Sequence, residues 1–159
     1  MKIVAVGLHD GSALFAQNAA YVCGAVHRYF IVRWHDEITA SARREVFDML
    51  LEARRRAGLP LIVMTELPAN LARGLLLKTE APNSSFALVD QLVDAIYVVI
   101  LGDDPDARTL RSAAEVGAFR MRGEITACTT FDDAIRRAAR RAAVEYTEVR
   151  DALRGAGLA

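Results

Sequence analysis

Cysteine is scarce. The chain of 159 residues has two, Cys23 and Cys128, with no CxxC spacing. That excludes a disulfide framework and a zinc knuckle. Buried free thiols in a reducing compartment, the cytoplasm, are expected instead. Net charge is lacking too: Lys plus Arg total 20 and Asp plus Glu total 20. A strongly basic chain that coats nucleic acid is excluded, and so is an acidic tail protein. No stretch approaches the ~20 apolar residues of a membrane span. The opening run Ile3 to Val6 is too short for a signal peptide and ends at Gly7-Leu8-His9-Asp10.

Catalytic motifs are missing as well. There is no Gly-x-Ser-x-Gly elbow, P-loop or dinucleotide fingerprint. Aromatics are not interleaved with basic residues as RNA stacking requires. His9-Asp10 and His35-Asp36 are two His-Asp pairs near expected strand ends, and His27 is a third histidine. If their loops converge, they could bind a metal or do acid–base work. No HExxH spacing supports that, so turn polarity explains both pairs. The expectation is no catalytic residue, no metal and no cofactor. Lysine is nearly missing: only Lys2 and Lys78 stand among the 20 basic residues. A GC-rich genome explains the arginine excess, as does selection for pairing with carboxylate or phosphate.

Hydrophobic residues make up 53% of the chain, enough for one domain over residues 1–159 with a sizeable core. Residues 3–8 read as a strand, and Asp10-Gly11-Ser12 as a turn. Residues 12–19 are ambiguous, with a short helix one reading. Tyr21 to Val26 and Tyr29 to Trp34 read as strands joined at His27-Arg28. Thr39 is an N-cap for a helix whose stripe is Val46, Leu50, Ala53 and Ala57, widened by Phe47 and Leu51. Arg54-Arg55-Arg56 suit its last turn, Gly58 closes it and Pro60 prevents its continuation. Leu61 to Met64 reads as a central strand.

Asn70 to Lys78 looks helical, and a second helix capped at Asn83 or Ser84 is expected to run to about Ala95. Ile96 to Leu101 is a strand. Asp104-Pro105 opens a helix sharing Leu110, Ala114 and Gly117 on one face. Ile125 to Cys128 is a last strand, and Thr130 with Asp133 starts the final helix. Strands alternating with helices argue for an α/β fold, a single mixed sheet flanked by helices.

Two segments carry a family resemblance. Phe30-Ile31-Val32-Arg33-Trp34-His35-Asp36-Glu37-Ile38-Thr39, followed by an amphipathic helix, resembles the strand, turn and helix of the STAS domain (sulfate transporter and anti-sigma-factor antagonist). Asp36 stands where glycine is usual. Ile125-Thr126-Ala127-Cys128-Thr129-Thr130-Phe131-Asp132-Asp133-Ala134-Ile135 resembles the family's closing strand and helix start. The resemblance implies a STAS-like fold and a role in bacterial signalling. In the anti-sigma-antagonist type it also implies a phosphate-accepting serine or threonine after the central strand. Here that strand leads into Thr65-Glu66-Leu67-Pro68-Ala69-Asn70 instead. Ser84 and Ser85 are the nearest phosphorylation candidates, and helix capping is their plainer role. SEC14-type lipid-binding domains are grouped loosely with this family, so a lipid or small anion beneath residues 68–95 is an alternative. Leu75-Leu76-Leu77 could line such a pocket.

The final helix is expected to be long, about residues 131–154. Ile135, Ala139, Ala142, Tyr146, Val149 and Leu153 make a heptad-like seam. Such a helix reaches roughly 36 Å and could extend from the domain to a partner or a second copy. Arg136 and Arg140 near its start, with Tyr146, Val149 and Leu153, are the expected partner or dimer surface. The neutral total also hides segregation. Glu80 to Asp106 holds six acids and no Lys or Arg, and Ala107 to Arg141 holds eight arginines against four acids. The function expected is therefore regulation by protein–protein contact, with a partner or as a homodimer, and no nucleic acid.

Overall fold

The computed structural model describes residues 13–71, 91–117 and 124–159. Strands β1 (Leu14–Gln17), β2 (Tyr21–Val26) and β3 (Tyr29–Trp34) form an antiparallel meander. The first hairpin turns on Asn18, whose Oδ1 accepts from the Ala20 and Tyr21 amides. Residues 12–19 thus hold a strand, not a short helix. Leu14 and Ala16 point inward and Gln17 outward, the period of two that a helix lacks. The second hairpin turns at His27-Arg28, as its two apolar runs predict. His27 takes a left-handed φ of 53° there without a glycine.

Helix α1 (Ala40–Ala57) follows β3. Thr39 caps it by accepting from the Ala42 amide, worth about 1 kcal/mol. Gly58 ends it at φ 71°, with its N–H on the Arg54 carbonyl. Ala42, Met49, Leu50 and Ala53 are buried, and Val46, Phe47 and Ala57 pack beside them. Leu51 faces solvent, so the stripe is rotated away from it.

Strand β4 (Leu61–Pro68) runs past Met64 to Pro68, because Thr65 and Glu66 stay paired on both sides and Leu67 and Pro68 stay paired with β5. Strand β5 (Val93–Leu101) begins at Val93, so the helix expected to reach Ala95 ends before it. Asp104 caps helix α2 (Pro105–Gly117) by accepting from Ala107, and β6 (Glu124–Cys128) follows. Among the described residues, six strands lie side by side in chain order, and β3 to β6 are parallel. Right-handed crossovers put the helices joining such strands on one face. Accordingly α1 and α2 share one core cluster with Phe30, Val32, Val63 and Ile100.

The opposite face is covered by the C-terminus. Helix α3 (Phe131–Ala142) and helix α4 (Tyr146–Gly155) bury Ile31, Ile62, Met64, Tyr97 and Val99 beneath Ile135, Ala139, Val149 and Leu153. The single long helix over 131–154 is therefore corrected to two helices folded into a hairpin. The break is a Schellman motif. The Val144 amide donates to Ala139, the Ala143 amide donates to Arg140, and Ala143 sits at φ 56°. The same motif closes α4, with Leu158 on Leu153 and Gly157 on Arg154. The heptad seam is spent inside the chain, where Ile135, Ala139, Val149 and Leu153 are all buried. Among the described residues, no helix is long and apolar enough to cross a membrane.

Candidate functional site: an arginine-lined cleft beside β6

Helix α3 alternates a core face with a charged one. Ala134, Ile135, Ala138 and Ala139 are buried against the sheet. That leaves Arg137, Arg140 and Arg141 on the outer flank, above the amino-terminal ends of β5 and β6. Together with Tyr97 and Glu124 they line a cleft of about 330 Å³.

Through Arg141 and Glu124 the cleft adjoins an ion network. A register shift between β4 and β5 pairs Leu61 with Val93 but Ile62 with Ala95. Asp94 is the extra residue, and the bulge turns its carboxylate out of the ladder. It accepts from Arg141 Nε at 3.0 Å and Nη2 at 2.7 Å, and from Arg28 Nη2 at 3.1 Å. Arg28 also donates to the Pro60 carbonyl. Arg141 lies 3.7 Å from Glu124 as well. The Arg141 hydrogen bonds hold the Asp94 carboxyl below the usual aspartate range, against the opposing effect of burial. Five segments, at Arg28, Pro60, Asp94, Glu124 and Arg141, are thus tied together.

The other donors are less committed. Among the described residues, Arg137 uses only Nε, on Asp133 at 3.0 Å. Arg140 is exposed and has no ion-pair partner among the described residues. Tyr97 donates its hydroxyl to the Arg137 carbonyl, and burial pushes its phenol up to about 12. The cleft therefore offers fixed cationic donors, which suits carboxylate or phosphate.

The expected surface residues fall in different places. Arg136 pairs with Asp132 at 2.9 Å and stacks on the Tyr146 ring at 4.2 Å. Tyr146 donates its hydroxyl to Asp132, and the Arg150 guanidinium lies 5.5 Å from the centre of its ring. This cluster clamps α3 to α4. Val149 and Leu153 are core residues, not a partner surface, because the hairpin folds them onto the sheet. Of the five expected surface residues, only Arg140 lines the cleft.

The two described histidines, His27 and His35, do not converge. His27 precedes β3 and His35 follows it, so the strand, about 20 Å long, separates them. His9 and Asp10 lie outside the described residues, as do Ser84, Ser85 and Leu75-Leu76-Leu77. Among the described residues, no group of three His, Cys, Asp or Glu could hold a metal. Both thiols are free and buried, and burial raises both, Cys128 to about 12. They are inert packing groups.

Sequence reasoning missed Arg28, Asp94, Tyr97 and Glu124. An acid between Val93 and Ala95 inside an apolar run was the available sign for Asp94, and the helix expected over that stretch hid it. Comparison with known proteins finds no match among family models, curated proteins or solved structures.

Proposed function

We propose that the chain is a non-enzymatic regulatory domain, STAS-like and cytoplasmic, that docks an acidic protein partner at the arginine-lined cleft. The observation that carries this reading is the pair Arg137 and Arg140, whose guanidinium donors are largely unspent beside an otherwise compensated network. Binding is favoured over catalysis by protonation. Arginines and a phenol raised to about 12 keep their protons near neutral pH, whereas a general acid or base needs a pKa near it. The STAS-like assignment is supported by the two segments that resemble that family, each of which runs from a strand through a capped turn into a helix. Self-association through an extended C-terminal helix is not part of this reading, because the seam is buried.

The second reading is a small anion in the same cleft, favoured by its size, which sits near the lower end of small-molecule sites. A charged lining does not suit a lipid tail.

Affinity capture from the source cells, with wild type and Arg140→Glu side by side, tests the docking. The expected result is an acidic partner held by wild type, released by salt and lost from the variant. Equal capture by both proteins would overturn the reading. Capture of no protein, with phosphate binding that Arg140→Glu removes, would establish the small-anion alternative.

A further inference from the structure

The cleft opens beside a sheet edge. Among the described residues β6 pairs only with β5 and ends the sheet. A strand in that position points about half of its backbone N–H and C=O groups outward, a template for another strand. Natural edges are commonly blunted by proline, bulges or repeated charge. In β6, Glu-Ile-Thr-Ala-Cys, the only charge is Glu124, at the first position, and there is no proline. Ile125, Thr126 and Ala127 are half-buried, so the edge is reachable yet apolar in part.

The two faces of this edge differ. Cys128 belongs to the core under α3, so by alternation Glu124 and Thr126 share that face. The Thr126–Glu124 hydrogen bond at 3.1 Å agrees. Tyr97 of the cleft pairs in register with Thr126. Ile125 and Ala127 pair with Ile96 and Val98, which pack toward α1 and α2. A strand laid along β6 would therefore send alternate side chains toward Arg137 and Arg140, and the others toward an apolar flank.

We propose that the partner docks by strand addition: an extended segment alternating acidic and apolar residues pairs along β6 and sets its carboxylates against Arg137 and Arg140. This rests on the acidic docking proposed above and specifies its mode. Backbone hydrogen bonds would supply affinity, and the arginines would supply the choice of side chain.

The probe is a fluorescent peptide about seven residues long that alternates valine and glutamate. A second pair of peptides carries the same side chains with alternate amide nitrogens methylated, in either phase. Charge is kept, and one phase loses the donors of the ladder. Anisotropy should show the parent peptide binding wild type, about tenfold weaker binding to Arg140→Glu, and loss of binding for one methylated phase. Equal binding of both methylated peptides would overturn strand addition while acidic docking stands. Parent binding indifferent to Arg140→Glu, or no binding at millimolar peptide, would overturn both. A dimer with β6 amides protected from exchange would place a second copy on the edge and overturn the assignment to a partner.

Discussion

Leu153→Ala distinguishes a C-terminal hairpin packed on the sheet from a helix that projects away. Leu153 is fully buried, in the same cluster as Ile31, Tyr97 and Ile135. The substitution deletes three carbons from that cluster. At about 0.8 kcal/mol per buried methylene the transfer loss is about 2.4 kcal/mol, and the cavity adds to it. A total of about 3–4 kcal/mol follows, a large share of the ~5–15 kcal/mol that holds a domain folded. The melting temperature should fall by roughly 6–16 °C at this chain length. Urea unfolding is the assay, with an unchanged slope required for the comparison. Leu51→Ala is the control, since that side chain is 39% exposed, and should stay within about 0.5 kcal/mol of wild type. Light scattering should give the same mass for Leu153→Ala as for wild type. A variant as stable as wild type but of lower mass would refute the hairpin and restore a projecting, self-associating helix.

Other substitutions test its neighbours. Ala143→Gly should stabilise the protein by about 0.5–1 kcal/mol, since the position is exposed and left-handed at φ 56°. Loss of stability in urea would contradict the break. Gly24→Ala should destabilise by about 1–3 kcal/mol, because its Cβ would meet the Leu14 carbonyl oxygen at 2.4 Å and Leu158 Cδ2 at 2.7 Å. Adding Leu158→Ala should not rescue it, since the backbone contact persists; full rescue would place the strain in the side chain alone. Asp94→Asn should cost about 1 kcal/mol at neutral pH, solvent screening of half-exposed Arg141 keeping the figure low. A carboxyl held below its ordinary pKa of about 3.9 contributes stability above that value, and the contribution disappears as pH falls through the folded value. Wild type should therefore lose more stability than Asp94→Asn below about pH 4. Parallel acid unfolding curves would count against the network.

What was legible in the sequence was local. The second hairpin, the Thr39, Asp104 and Thr130 caps and the Gly58 stop each depend on a few adjacent residues, and each forms as expected. The break at Ala143 was not legible, because its left-handed residue is alanine where glycine is usual. The seam spacing even continues across it, from Ala142 to Tyr146. Val144 could have served as a sign, as the apolar residue that such a motif packs back on its helix. Strand β1 was hidden by its length of four residues, too short to establish a period. The arginines of α3 were visible, but the cleft was not. It depends on a bulge at Asp94 and on the parallel register that brings Tyr97 beside Glu124 and Thr126. No pattern along the chain encodes that meeting.

If Arg140 selects acidic partners by charge, as proposed, a charge swap should alter the choice. Wild type and Arg140→Glu are each titrated with two otherwise identical peptides, one alternating valine with glutamate and one alternating valine with lysine. Wild type should prefer the glutamate peptide, and Arg140→Glu should reverse or abolish the preference. An unchanged preference in the variant would contradict it.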